Sequence, residues 1–499
     1  MSYHIPDPPE ISYWDASPAL RALLQRRLAP VEFAWAEPQL RAMGALAARE
    51  IAPRAQIADQ ESPRLVTHTP KGERCNRVDY HPAYREMERI AYGSGMVSMK
   101  YDPAVLEAHG ESIQIVSFAL GYLFAMGEMG LYCPVCMTDG VARIVTRYGT
   151  PDQAARVVPR MGAPDAERRW TGAMFVTERA GGSDVGANET VARRAADGTW
   201  RLTGHKWFCS NVDAQAVLVT GRPEGAQPGT RGLETFLLIA PGTEGVAIER
   251  IKDKLGVRSM PNREVQLTGA PAEHVAGFPA MLEMMNLSRL YNSVAAVAVI
   301  GRAIHEARFH VERREAFGQP VVRHPLAQET LRDLEAEHRA ALLLTFHAVE
   351  TLGRADRGDD AAARELRALI PLVKAVTGKL AVPCVSEAME MIGGNAYIEE
   401  SPLPRLLRDA QVLPIWEGTT NILVLDFLRV AKKHRGHEAL LARVRSALPE
   451  EADEIAAAFD GLEEKDARGW MDRLARALER TLLAEAGDTE AFDRLAARP

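Results

Sequence analysis

The chain predicts an α+β multidomain protein with its elements in the order α, β, α. Three observations carry this. Apolar residues recur at three- and four-residue spacing through most of residues 1–170. Short β-rich runs follow one another over residues 171–278 with no helical pattern between them. From about residue 280 long periodic stretches return. We read an N-terminal α-helical domain (1–170), a central antiparallel β domain (171–278), a C-terminal four-helix bundle (279–432) and a small helical appendage (433–499).

Composition sets the outer bounds. The 499 residues are 46% hydrophobic and 25% charged, as in a globular chain with ample core. A net charge of −7, from 60 basic and 67 acidic residues, advertises neither nucleic acid nor an anionic membrane surface. The N-terminus MSYHIPDPPEISYWD has no basic region followed by an apolar core, so no secretory signal is expected. The uncharged run 112–127 has 16 residues, interrupted by Ser, Gln and Gly. It falls short of the roughly 20 apolar residues that span a bilayer and reads as a buried helix. Five cysteines, an odd number, predict reduced thiols and a cytoplasmic location. Cys133-Pro134-Val135-Cys136 has the spacing of a redox pair or half a zinc site, but no second pair accompanies it. We read structural thiols near a helix start and no metal.

In chain order, helices are expected at 17–24, 38–50, 84–90, 103–109, 112–129 and 137–148, with a polar, Pro-rich surface loop at 59–77. Asp197-Gly198 between 191–194 and 200–203 signals a hairpin. Further strands are expected at 216–220, 235–240, 246–251 and 264–268. The bundle helices are placed at 282–309, 328–352, 361–370, 372–393 and 420–430.

Four motifs and one carboxylate hold the chemistry. Met174-Phe175-Val176-Thr177-Glu178-Arg179-Ala180-Gly181-Gly182-Ser183-Asp184 runs from a strand into a turn, and reads equally as a tight turn and as a phosphate cradle. It is not a dinucleotide fingerprint, since no G-x-G-x-x-G opens a helix. Trp207 and Phe208, adjacent on a strand, are expected to face opposite ways, one against a planar ring and one into the core. Arg314-Glu315-Ala316-Phe317-Gly318 is read as a helix ending at Gly318, its guanidinium serving either the helix dipole or a pyrophosphate. Glu390 to Gly394 is either a glycine-stopped helix or a turn that lets a ligand approach the backbone. Ile415-Trp416-Glu417-Gly418-Thr419-Thr420-Asn421 places one carboxylate in a turn, with Thr419 or Thr420 available to cap the next helix.

In this order and layout the motifs resemble the acyl-CoA dehydrogenase superfamily over residues 100–430. Cys133-Pro134, Met137-Thr138-Asp139-Gly140, Gly181-Gly182, the 252–259 segment KDKLGVRS and Trp416 before Glu417 resemble its alkylation-response branch. The resemblance implies non-covalent FAD. Met174, Val176 and Thr177 would line the flavin, Gly182 and Ser183 would meet its phosphates, and Trp207, Phe208 and Ser210 would flank the ring. Arg314, Phe317, Glu390, Gly393 and Gly394 would contact the FAD of a neighbouring subunit, and Thr419 and Asn421 would close the site. Glu417 would be the base that removes the α-proton of an acyl-CoA, giving a 2,3-enoyl-CoA. Ser183, Gly418 and Arg289 would meet the substrate, although Arg289 reads equally as structural. The resemblance further implies electron-transfer flavoprotein as acceptor, a role in fatty acid metabolism, and a homodimer or homotetramer. Ala316, Glu390 and Ala396 depart from the residues frequent in the family, which puts individual contacts in question.

Two alternatives stand beside this. One is an alkylation-response flavoprotein that binds nucleic acid. Residues 436–499 carry 9 basic and 15 acidic residues, a net of −6, which opposes a phosphate-binding surface. The other is a flavin oxidase acting on a non-CoA substrate.

Overall fold

The computed structural model describes residues 12–239 and 244–497. The stretch read for a secretory signal falls outside them as far as residue 11, as does Ala240 at the end of one expected strand. By contact the chain forms two compact units. A barrel unit takes 53–108 and 128–291; a helical unit takes the described residues up to 52, then 109–127 and 292 onward.

The barrel unit is built on nine strands: β1 Arg64–His68, β2 Arg74–Asp79, β3 Gly172–Phe175, β4 Val191–Arg194, β5 Trp200–Ser210, β6 Ala216–Pro223, β7 Glu234–Ile239, β8 Val246–Ile251 and β9 Asn262–Gly277. Antiparallel ladders dominate, as expected: β4–β5 across the Asp197-Gly198 turn, β5–β9, β6–β7, β7–β9 and β8–β9. Two parallel ladders, β3–β6 and the two-residue β4–β6, join them. The pairings β6–β7–β9–β5–β4–β6 close a ring, so those five strands leave no free edge between them. Inward residues at alternate positions, among them Val217, Val219, Phe236, Leu238, Val265 and Leu267, form the core.

Residues 59–77 are not a surface loop. β1 and β2 form a bulged hairpin there. Its polar residues serve β8: Asn76 donates from Nδ2 to the Val246 carbonyl at 3.0 Å and accepts from the Ile248 N–H at 3.1 Å, while Arg74 donates to the Ile248 carbonyl at 2.8 Å. Side chains that read as solvent-facing satisfy strand backbone instead.

Among the described residues, two charged side chains of the barrel unit, Lys206 and Arg263, are completely buried. Lys206 on β5 has no exposed surface. Its Nζ donates to Glu178 Oε1 at 2.7 Å and to Thr220 Oγ1 at 3.1 Å. Glu178 also accepts from the N–H groups of Glu189 and Thr190 at 2.6 and 3.2 Å and from the Thr190 hydroxyl at 2.5 Å. Burial pushes the Glu178 carboxyl up, but the ammonium and these donors outweigh it and hold it below the usual carboxylate range. Burial pulls Lys206 down, and Glu178 restores it only in part.

The helical unit centres on Pro325–Asp356 and Asp360–Ile392, joined by a three-residue turn at 357–359 and packed together as a helical hairpin. The two helices expected at 361–370 and 372–393 are one. Pro371 lies inside it and is buried, so packing overrides the break that proline suggests. Among the described residues this helix alone is long and apolar enough to cross a membrane by composition, and most of that window is buried, as in a core helix. Phe278–Arg313 supplies its second half to this unit, and Arg308 on it pairs with Glu335. Arg405, almost fully buried, ties Pro402–Ala410 to Ile113–Gly127 through the Gly127 carbonyl at 3.2 Å and pairs with Asp409 at 3.3 Å.

The C-terminal residues pack on this frame. Trp470, on Ala467–Glu485, meets the rings of Phe427, His437 and Phe459. From the same helix, Arg476 grips Glu337 of Pro325–Asp356 with two bonds of 2.9 and 3.1 Å and its own Glu479 with one of 3.1 Å. Two carboxylates thus share one guanidinium. Burial pushes Glu479 up to about 8, Arg476 opposes this, and Glu337 adds to it.

Two stability predictions follow from these buried charges. Lys206→Met strands the Glu178 carboxylate and should cost about 3–5 kcal/mol. Pairing it with Glu178→Gln should recover part of that loss in chemical denaturation. Glu479 holds its proton in the fold up to about pH 8 but gives it up near its ordinary 4.5 when unfolded. The unfolded chain therefore binds fewer protons in that window, and stability falls as pH rises through it. Glu479→Gln should remove this contribution, worth at most about 1.4 kcal/mol per pH unit. Denaturant titrations of the two proteins across the window measure the difference.

Candidate functional site

Each unit presents its own group of the expected residues. In the barrel unit, β3 delivers Met174, half-buried, and continues through buried Val176 to half-buried Thr177. Asn188 Nδ2 donates to the Val176 carbonyl at 2.7 Å and fixes the exit from the strand. Gly181 has φ +118°, a backbone that L side chains rarely adopt, and a Cβ on Gly182 would come within 2.8 Å of Thr177 Oγ1. Both glycines are therefore required by the turn itself. Ser183, just beyond, is exposed.

The first two motifs meet. The Trp207 N–H donates to the Thr177 carbonyl at 2.9 Å. The expected alternation of Trp207 and Phe208 does not occur: Trp207 is half-buried and Phe208 is 54% exposed. The cause is a bulge. Lys206 pairs with Val265 and Cys209 with Arg263, so three steps on β5 face two on β9. Lys206 and Cys209 point inward and both aromatics between them stay out of the core. Lys252 Nζ lies 3.5 Å from the Trp207 ring centroid and 4.9 Å from that of Phe208, and the Arg179 guanidinium lies 5.4 Å from Trp207. The sequence reading missed both cations at the indole, because neither is near it in sequence on the same strand. Ser210 Oγ accepts from Asn262 Nδ2 at 2.6 Å and keeps its own proton to donate. Arg289 is 7% exposed, with Nη1 on Asn286 Oδ1 at 3.0 Å, so this guanidinium is buried within its helix face.

His205, Glu249 and Glu264 also come together, with ligand atoms within 4.8 Å of one another. Glu264 is already engaged by Arg250 at 2.7 Å and Lys252 at 2.6 Å, and His205 bonds Glu249 at 3.0 Å. A guanidinium and an ammonium at the Glu264 carboxylate make this an ion-pair network and a poor cation site.

In the helical unit, Glu417 lies in the turn between Pro402–Ala410 and Thr420–His434. It has φ +58° and Gly418 has φ +106°. A left-handed glutamate is a strained choice that the surroundings must impose. Lys374, with no exposed surface, donates from Nζ to the Gly418 carbonyl at 2.6 Å. One turn later on the same helix, Gly378 lets the Leu413 carbonyl approach to 3.0 Å of where a Cβ would stand. Thr419 occupies the N-cap position of the next helix, yet its side chain makes no cap hydrogen bond, so capping does not account for it. Asn421 is exposed.

Gly318 does not end a helix. The helix stops at Arg313, and Glu315–Ala316 pairs with Gln319–Pro320 in a minimal hairpin. Phe317 (φ +52°) and Gly318 (φ +81°) form its tip, as a two-residue hairpin turn demands, and Phe317 is 96% exposed. Arg314, half-buried, lends its carbonyl to the Val321 N–H at 2.8 Å. Gly393, with φ +80°, stops Asp360–Ile392, and a Cβ on it or on Gly394 would meet nothing within 4 Å. Glu390 on the preceding turn is exposed. Lys374 and Gly393 are 19 residues apart on one helix, roughly 28 Å along its axis. The glutamate turn and the Gly-Gly turn are thus separate places on this chain.

The residues suit FAD. An aromatic pair is held out of the core, a glycine turn carries an exposed serine, and a threonine at a helix start has its hydroxyl uncommitted to the cap.

Comparison with known proteins agrees with this layout. Residues 5–166 match the adaptive response protein AidB N-terminal domain, 173–270 the acyl-CoA dehydrogenase middle domain, and 276–431 the acyl-CoA dehydrogenase C-terminal domain. Acyl-CoA dehydrogenase family member 11 of Caenorhabditis elegans is 36% identical over 435 residues, 83% of this chain and 69% of the relative. The AidB protein of Escherichia coli is 31% identical over 407 residues, 78% of this chain and 72% of the relative. The crystal structure of Caenorhabditis elegans ACDH-11 in complex with C11-CoA superposes with a TM-score of 0.91 at 30% identity, covering 100% of this chain and 94% of that one. The chain belongs to the acyl-CoA dehydrogenase family of oxidoreductases, a family that generally binds FAD.

Proposed function

We propose that this protein is an FAD-dependent acyl-CoA dehydrogenase in which Glu417 removes the α-proton of an acyl-CoA and a 2,3-enoyl-CoA is released. The observation that carries it is the strained turn. Among the described residues, only at Glu417 does the helical unit hold a carboxylate at positive φ, directly before the glycine whose carbonyl a buried lysine holds. FAD, when bound, supplies the acceptor for the electrons that leave the β-carbon.

The chain's own part is positioning and proton transfer. Met174, Val176, Thr177, Trp207, Phe208 and Ser210 would hold the ring, with Gly182 and Ser183 at the phosphates. Arg289, Ser183 and Gly418 would meet the thioester substrate. Glu417 must reach the α-carbon as a carboxylate, accept one proton and later release it to water. Its backbone N–H would donate to the thioester carbonyl as the α-carbon becomes anionic. Thr419 and Asn421 would close the site.

The spacing along Asp360–Ile392 supports sharing between copies. A turn roughly 28 Å from the base contact is poorly placed to serve the same end of the same flavin. Arg314, Phe317, Glu390, Gly393 and Gly394 would therefore serve a neighbouring copy's FAD in a homodimer or homotetramer. Electron-transfer flavoprotein is the proposed acceptor. The C11-CoA bound by the Caenorhabditis elegans relative motivates a medium-length acyl chain. The C-terminal residues give no support to nucleic-acid binding: Arg443, Arg476, Arg480 and Arg494 there are each paired with carboxylates.

The decisive experiment is anaerobic addition of a panel of acyl-CoAs to the purified flavoprotein. The wild type should bleach with at least one of them. Glu417→Gln should retain its yellow flavin and bleach more slowly by about 1,000-fold or more. Full bleaching of the variant would remove Glu417 as the base. Oxygen consumption during turnover would replace the dehydrogenase with an oxidase.

A further inference from the structure

We infer that Lys374 is a positioning residue for Glu417: its buried ammonium, bonded to the Gly418 carbonyl, holds the glutamate turn in the left-handed conformation from which the base acts. This rests on the reading of Glu417 as the α-proton base.

The geometry has three parts. Lys374 has no exposed surface, so its charge has been taken out of water at a cost that its acceptors must offset. One acceptor is the carbonyl of the residue directly after Glu417, at 2.6 Å. The two residues of this turn, Glu417 and Gly418, both have positive φ, at +58° and +106°. A non-glycine residue held there reverts toward the common regions unless its neighbours over-determine it. Lys374 does so from the centre of the longest apolar helix of the unit, and Gly378, one turn on, admits the Leu413 carbonyl to the same helix. One helix thus packs closely on the chain before Glu417 and bonds the residue after it.

A lysine is suited to this for a chemical reason. Its ammonium has three donors and no acceptor, so it takes hold of carbonyl oxygens and cannot compete for the proton that the carboxylate must receive. A buried carboxylic acid or amide at the same place would offer an acceptor or a second proton.

The test isolates proton removal from electron transfer. A straight-chain acyl-CoA with sulfur in place of the β-carbon still has α-protons to lose but no β-hydrogen to give up. Incubated with the holoenzyme in D2O, it should gain deuterium at the α-carbon as the base removes a proton and solvent returns a deuteron. Mass spectrometry reads the exchange rate. Lys374→Met should keep its flavin content, melting temperature and Kd for the analogue, yet exchange about 100-fold more slowly, as expected when a reacting group is displaced by about an ångström. Gly378→Ala, which presses the turn off the same helix, should slow exchange in the same way. A folded, flavin-loaded Lys374→Met protein exchanging within about threefold of wild type overturns the inference. If that variant does not fold, wild-type exchange by Gly378→Ala overturns it instead. Glu417→Gln separates the two readings: undiminished exchange by that variant removes the base itself, whereas its loss together with normal exchange by Lys374→Met removes only the role of Lys374.

Discussion

A lysine sealed from water must be given acceptors, and in the barrel unit that demand organises the site. Lys206 is met by Glu178 and Thr220. Glu178 belongs to the turn after β3, and Lys206 immediately precedes Trp207 on β5. One ion pair therefore joins the glycine turn to the aromatic pair, and the Thr177–Trp207 backbone bond lies beside it. Further donors from Glu189 and Thr190 complete the shell, so no oxygen of Glu178 is left to solvent alone. A pair of this kind contributes little net stability compared with apolar packing of the same volume. What it provides is a single permitted arrangement of two segments that are distant in sequence.

The helical unit repeats the device with a different acceptor. Lys374 reaches a main-chain carbonyl, and the segment it secures is again one with a chemical task. In both units, then, a buried ammonium sits behind a short stretch whose backbone departs from regular structure: a bulge in one, a left-handed turn in the other. Regular elements need no such support because their own hydrogen bonds hold them. Irregular ones hold their shape only if something rigid is bonded to them.

The sequence disclosed elements whose period was clean and failed where geometry depends on an unseen neighbour. The α–β–α order, the Asp197-Gly198 hairpin and the helices expected at 103–109 and 328–352 are local in origin, set by periodicity and turn chemistry. The hairpin at 64–79 was illegible because Arg74 and Asn76 look solvent-facing until β8 is placed beside them. Pro371 read as a break because its packing within the helical unit is not local. Glu417 was picked out by its company of motifs, while the strain at Glu417 and the buried lysine behind it have no sequence signature. Lys374 stands amid an apolar run, where a lone lysine reads as an interruption, and the alternation expected of Trp207 and Phe208 is suspended by the bulge.

That bulge has a consequence for which side chains β5 keeps out of the core. Along β5 the inward positions Leu202 and Lys206 are separated by an even step, and Lys206 and Cys209 by an odd one. The strand carries a change of parity at Trp207-Phe208. Removing a single residue there would make the step even, so plain alternation would turn both Lys206 and Cys209 inward with one outward side chain between them, and the bulge would be lost. Two adjacent side chains can thus stay out of the core at this point only because the step between Lys206 and Cys209 is odd, whatever residues fill positions 207 and 208.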